Sequence, residues 1–106
     1  MKYDVIIIGA GPGGIFSAYE LTHKNKDLKI AVYEAGQPLQ KRRCPIDGEK
    51  VKSCIKCKTC AIMSGFGGAG AFSDGKYNIT NNFGGTLHEH IGNKKAIELM
   101  KYVDEI

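Results

Sequence analysis

Two adjoining runs, Tyr3–Ile8 (YDVIII) and Gly9–Gly14 (GAGPGG), form the stretch on which the fold prediction depends. The first run is rich in β-branched residues and almost continuously apolar, which is typical of a strand covered on both faces of a parallel sheet. The second run places glycines at positions 9, 11 and 14 in a G-x-G-x-x-G frame. Such a turn between a strand and a helix lets a nucleotide pyrophosphate rest on backbone N–H groups at the helix N-terminus.

The residues after this turn complete a strand–helix–strand pattern. A helix is predicted from about Gly13 to His23, and Leu28–Glu34 predicts a second strand. Glu34 follows Gly14 by 20 residues, the spacing at which an acid reaches the hydroxyls of an adenosine ribose. The predicted fold class is therefore α/β, with a Rossmann-like FAD/NAD(P)-binding βαβ unit over residues 2–35 in an incomplete doubly wound parallel sheet. The simpler alternative is a glycine-rich turn with a surface glutamate.

Length and composition indicate a globular protein of ordinary type. The chain has 106 residues, 42% of them hydrophobic and 25% charged, which fits one domain. No apolar run approaches the roughly 18–20 residues needed to cross a bilayer, and no signal-peptide pattern is present. A cytoplasmic location without membrane association is therefore expected, with the four cysteines mostly reduced.

The positive charge of the chain is concentrated in residues 41–60. This segment holds seven basic and two acidic residues, while the net charge of the whole chain is only +4. Aromatic residues are not interleaved with the basic ones, so a nucleic-acid partner is not indicated. The pattern leaves open a solvated loop or a set of cations that offset nearby thiolates or phosphates.

Four cysteines lie in the same segment. Cys54, Cys57 and Cys60 form a C-x-x-C-x-x-C run, and Cys44 precedes a proline nine residues before the run begins. Three closely spaced thiolates suit an iron–sulfur cluster, although a ferredoxin run has its Cys-Pro downstream. A zinc site, a redox disulfide and a loop of reduced thiols without a ligand remain alternatives.

A second glycine-rich run, residues 65–76 (GFGGAGAFSDGK), is too rich in glycine for a regular helix or strand. It is interpreted as a loop that passes along a cofactor. Residues 76–80 predict a short strand, and His88 and His90 are expected to be surface or loop histidines. A final helix over 94–105, capped by Asn93, would bury Ile97, Met100 and Val103, so residues 36–93 remain as an irregular cysteine- and glycine-rich region.

Taken in order, residues 9–14, the segment 41–45 (KRRCP), the spaced cysteines and residues 65–76 resemble the N-terminal part of a family of bacterial and archaeal FAD-dependent dehydrogenases. Residues 67–76 are the most specific part of the likeness. Members of that family are several times longer, with a larger FAD domain and a substrate domain. The resemblance implies that residues 1–106 are the FAD-binding portion of a flavin-dependent oxidoreductase, and that this portion is inactive without the remainder.

The resemblance also implies which residues contact the cofactor. In such flavoproteins a basic residue that follows the ribose-binding acid approaches the adenosine or the pyrophosphate. Arg42 is the first candidate for this basic residue, and Arg43 is the second. No residue is assigned a catalytic role. An NAD(P)-binding domain without flavin and a small cysteine-rich metal or iron–sulfur electron-transfer module are the rival functions. The expected FAD contacts are Gly9, Gly11, Pro12, Gly13, Gly14, Glu34, Arg42, Gly67, Gly68, Ala69 and Ser73, and the expected metal ligands are Cys44, Cys54, Cys57 and Cys60.

Overall fold

The computed structural model describes all residues from 1 to 106 and divides them into two compact units, Met1–Asp74 and Gly75–Ile106. The first unit contains strand β1 (Val5–Ile8), helix α1 (Pro12–Lys24) and strand β2 (Ile30–Tyr33). It also contains short 3-10 turns at Leu39–Lys41 and Ala69–Phe72. None of the helices combines the length and the apolar character that a membrane span requires.

The two strands pair in parallel, with Val5 beside Ile30 and Ile8 beside Tyr33. Both ends of the pair are held by additional hydrogen bonds. At the start, Lys29 N–H donates to the Asp4 carboxylate at 2.8 Å, and at the end Gly9 N–H donates to the Tyr33 carbonyl at 2.6 Å. The strands are shorter than the sequence predicts, while α1 begins one residue earlier and ends one residue later than predicted.

Only one face of this sheet is covered, so the expectation that β1 is buried on both sides was wrong. Helix α1 packs on the face that carries Ile7, since the Gly14 backbone lies against that side chain. On the other face Ile6 and Ile8 are 59% and 81% exposed. An apolar run predicts burial in a complete sheet, whereas the first unit contains the single α-helix α1.

The second unit contains a 3-10 turn at Asn81–Phe83 and helices α2 (Leu87–Ile91) and α3 (Asn93–Asp104). Thr80 caps the 3-10 turn by accepting a hydrogen bond from Asn82 N–H at 3.2 Å. Ala96 on α3 is fully buried. The predicted stripe of Ile97, Met100 and Val103 is half-buried beside it.

Three predictions for this unit were wrong in detail. Residues 76–80 do not form a strand, because the sheet consists of β1 and β2 and offers no partner to them. Asn93 is the first residue of α3 rather than its cap, and its side chain accepts a hydrogen bond from Asn81 at 3.2 Å. His90 is exposed as expected, but it and the half-buried His88 lie on a helix.

Candidate functional site

The start of α1 has no side-chain cap. Pro12 is the first helical residue, and Gly11 precedes it in an extended conformation. The first carbonyl of the helix, that of Gly11, accepts from Ile15 N–H at 3.0 Å. The N–H groups of Gly13 and Gly14 therefore have no intrahelical acceptor, and they lie at the positive end of the helix dipole.

Gly14 allows α1 to lie directly on the turn that follows β1. A Cβ atom added at Gly14 would overlap the carbonyl oxygen of Gly9 and would come within 3.3 Å of the Ile7 side chain. This is the close helix–strand packing that the third glycine of the G-x-G-x-x-G frame is predicted to permit.

Glu34 is the centre of a hydrogen-bonded network that joins three segments. Its Oε2 atom accepts from Ala10 N–H at 2.7 Å, while Oε1 accepts from Gly36 N–H at 2.8 Å and from Gly65 N–H at 3.1 Å. These hydrogen bonds, of which the one from Ala10 has the largest effect, hold the pKa of the Glu34 carboxyl below its usual value of 4.5. A carboxylate has about four acceptor positions, so Oε2 is the atom with room for a ribose hydroxyl.

This network predicts a pH-dependent stability. A carboxyl group whose pKa is lowered by folding stabilises the protein above its unfolded pKa, and loses that contribution as the pH falls through the folded value. We expect the difference in free energy of unfolding between wild type and Glu34→Gln to be constant above about pH 5.5 and to shrink as the pH falls below about 4.5. Urea unfolding of both proteins from pH 7 to pH 3 measures this difference in the free energy of unfolding.

The pKa of the Asp47 carboxyl is also lowered, and the largest effect comes from the hydrogen bond donated by the backbone N–H group of Val51. Its contribution is present in both proteins and cancels in the difference. A difference that stays constant down to pH 3 would show that the Glu34 carboxylate is not held by these donors.

The second glycine-rich run lies on the first. Gly67 N–H donates to the Ala10 carbonyl at 2.8 Å. A Cβ atom at Gly68 would lie 3.2 Å from both Gly11 Cα and Pro12 Cδ. The structure therefore brings Gly67 and Gly68 onto the turn of residues 9–14. Ala69 and Ser73, predicted as further contacts, are exposed at either end of the 3-10 turn.

Arg42 is placed differently from the expectation. Its side chain is only 4% exposed, and four of its N–H groups donate to backbone carbonyls of the second glycine-rich run and the residues before it. The acceptors, at 2.6–2.8 Å, are the carbonyls of Ala61, Ile62, Phe66 and Gly68. The guanidinium also lies 4.7 Å from the centre of the Phe72 ring. Because a guanidinium has five N–H donors, at most one is left for a cofactor, and the observed role of Arg42 is to shape the loop.

A pocket of about 350 Å³ opens beside this network. It lies within the usual size range of small-molecule sites, and Glu34 is its only charged lining residue. Phe66 of the second glycine-rich run forms part of its wall. The other lining residues are Ala10, Ile15, Ala18 and Val32.

The predicted metal ligands do not form a ligand cluster in this structure. No group of three or more His, Cys, Asp or Glu side chains is arranged to hold a metal ion. All four cysteines are free, with no disulfide among them. They do line one common cavity of about 80 Å³.

Comparison with known proteins gives partial similarities. An uncharacterized protein of Clostridium beijerinckii is 38% identical over 76 residues, which is 72% of this chain and 14% of the relative. Thiamine thiazole synthases of Phaeosphaeria nodorum and Yarrowia lipolytica are 61% and 58% identical over 33 residues, 31% of this chain. The chain thus spans about a seventh of the bacterial relative and a tenth of the synthases. No family model and no solved structure matches the chain.

Proposed function

We propose that this chain provides the adenosine diphosphate-binding part of an FAD-dependent oxidoreductase. One observation carries the proposal: the uncapped start of α1 lies between two glycine segments, beside a carboxylate at the end of β2. An exposed helix N-terminus next to a side-chain-free backbone suits a pyrophosphate, and an acid at the next strand end suits a ribose.

The residues fit the group in specific ways. The N–H groups of Gly13 and Gly14 would hold the pyrophosphate, and Gly11 has no side chain to keep the backbone away from it. Oε2 of Glu34 would accept a hydrogen bond from a ribose hydroxyl, and the negative charge of this carboxylate would repel a 2′-phosphate. When bound, FAD supplies hydride and electron transfer through its isoalloxazine ring, while the protein holds and orients it.

The choice of FAD over NAD(P) rests on the resemblance of residues 67–76 to the FAD-dependent dehydrogenases, and on the contact of Gly68 with the first turn. A βαβ unit alone serves either cofactor. The matches to thiamine thiazole synthases cover 33 residues, so they support a relationship to enzymes and specify no substrate.

Gly11→Ala tests the proposal. The added methyl group would lie 4.0 Å from Gly68 Cα, an ordinary contact, and the extended backbone of Gly11 suits alanine. We therefore expect unchanged stability, but FAD and ADP affinities at least about tenfold weaker than wild type, about 1.4 kcal/mol, because the methyl group keeps the pyrophosphate from the backbone. Calorimetric titration of the full chain with FAD, ADP, NAD⁺ and NADP⁺ measures this.

Thr22→Ala is the matched control, since its exposed hydroxyl bonds only to carbonyls of its own helix. It should bind FAD as wild type does. Binding of NAD⁺ without FAD would favour the nicotinamide-binding alternative. Equal FAD affinity of wild type and Gly11→Ala would place the nucleotide elsewhere and overturn the assignment.

A further inference from the structure

The four cysteines line a cavity of their own, apart from the pocket beside Glu34. Cys44 lies near the start of the irregular segment 42–60. Cys54, Cys57 and Cys60 lie near its end. No residue of this cavity lines the larger pocket beside Glu34. For all four cysteines to line one space of about 80 Å³, the chain has to reverse between residues 44 and 54.

A compact turn at Asp47 produces that reversal. The Asp47 carboxylate accepts from the backbone N–H groups of Glu49, Lys50 and Val51 at 2.8–2.9 Å. Asp47 N–H in turn donates to the Val51 carbonyl at 3.1 Å. These bonds fold residues 47–51 back on themselves, so Cys44 and Cys54 meet at the same cavity.

A second turn, at Lys56, brings a backbone N–H group to the sulfur of Cys54. Lys56 is the only residue other than glycine with a positive φ, 54°, and it lies between Cys54 and Cys57. Its N–H donates to Cys54 Sγ at 3.4 Å. This turn therefore places the Cys54 sulfur beside the backbone that leads to Cys57.

The lining chemistry selects the kind of ion. Besides the four cysteines, the cavity is lined by Pro45, Ile46, Ile55, Lys56 and Ala61, with no carboxylate and no histidine. Thiolate ligands without oxygen donors favour zinc and other thiophilic metals over magnesium or calcium. Four thiolates with one divalent ion carry a charge of −2, and the excess of basic residues in the 41–60 segment offsets it.

We propose that Cys44, Cys54, Cys57 and Cys60 form a tetrathiolate site for one thiophilic divalent metal ion of the zinc class. The four cysteines line the cavity but their side chains do not yet form a ligand cluster, so binding draws the loop together until neighbouring sulfurs are about 3.8 Å apart, as Zn–S bonds of about 2.3 Å require. Each cysteine releases its thiol proton to solvent as its sulfur binds the ion. No electrons are transferred. The ion thereby orders a segment that contains no helix or strand.

The test uses the reduced, metal-free full chain and Zn²⁺ as the probe. We expect one retained Zn²⁺ per chain in competition with a chromogenic chelator, and four thiols that become slow to react with a disulfide reagent once zinc is present. Cobalt in place of zinc should give the visible absorption of tetrahedral thiolate coordination. Cys44→Ser and Cys57→Ser should each weaken zinc binding by at least about 100-fold, because the binding free energy is shared among four ligands.

Thr59→Ala, an exposed neighbour in the same loop, is the matched control and should bind zinc as wild type does. Wild-type zinc affinity in Cys44→Ser would overturn the four-ligand site. So would failure of zinc to protect the thiols of the wild-type chain, a measurement that does not depend on the folding of any variant. Formation of an intramolecular disulfide in a chain that retains no zinc would likewise overturn it in favour of redox-active thiols.

Discussion

Replacing Arg42 with methionine is expected to lower the free energy of unfolding by about 3 kcal/mol or more. The substitution removes four part-buried hydrogen bonds from a charged donor, and such a bond contributes about 1.5–3 kcal/mol. Domains are stable by only about 5–15 kcal/mol, so the loss is a large fraction of the total. Urea unfolding measures the change.

Arg43→Met provides the control for this prediction. It removes the same charge from the adjacent, exposed position, and it should change stability by no more than about 0.5 kcal/mol. Arg42→Lys should recover less than half of the loss, because one ammonium group cannot span four carbonyls as a planar guanidinium does. Equal stabilities of Arg42→Met and Arg43→Met would show that the guanidinium does not organise the loop.

Gly14→Ala is expected to destabilise the chain by about 2–4 kcal/mol, since the overlap of its Cβ atom with the Gly9 carbonyl forces α1 away from the turn. The same shift moves the free N–H groups of the helix start. Nucleotide affinity should therefore fall together with stability, in contrast to Gly11→Ala. Thermal unfolding and FAD titration of the same sample measure both effects.

Gly13→Ala supplies the comparison for stability. A Cβ atom at Gly13 meets nothing within 4 Å, and alanine is a better helix former than glycine. Its stability should stay equal to wild type or rise by up to about 1 kcal/mol. If Gly13→Ala and Gly14→Ala unfold at the same temperature, the close contact of α1 with the turn is not what stabilises this unit.

The part of the fold that the sequence predicted well is the part set by local pattern. The bounds of α1 differ by one residue from the prediction, because the apolar spacing and the flanking glycine and polar residues are read directly along the chain. The open face of β1 could not be predicted in the same way. An apolar strand reads identically whether or not a neighbour covers Ile6 and Ile8.

The candidate site likewise has features that the sequence predicts and features that it does not. The G-x-G-x-x-G spacing and the position of Glu34 predict a nucleotide-binding turn from sequence, but they do not reveal that Glu34 also accepts a hydrogen bond from Gly65 N–H. The cysteine spacing predicted a site and left its occupant open between a metal, a redox disulfide and no ligand, and the structure shows a shared cavity without a formed ligand cluster. The Asp47 turn that brings Cys44 to that cavity was not recognised, although an aspartate before glycine is a turn signal that could have indicated it.

The sequence by itself determined the strand–helix–strand order and the glycine turn, because these follow from the local spacing of apolar, glycine and polar residues. The tertiary structure alone decided what Glu34 and Arg42 do. Apart from Gly36, their partners lie 19 to 31 residues away, in irregular segments that carry no periodic signal. A buried charged side chain needs hydrogen-bond partners wherever the folded chain supplies them. For Arg42 the chain supplies carbonyls of residues 61–68, so this side chain holds the loop together. Its contact with a cofactor stays a prediction.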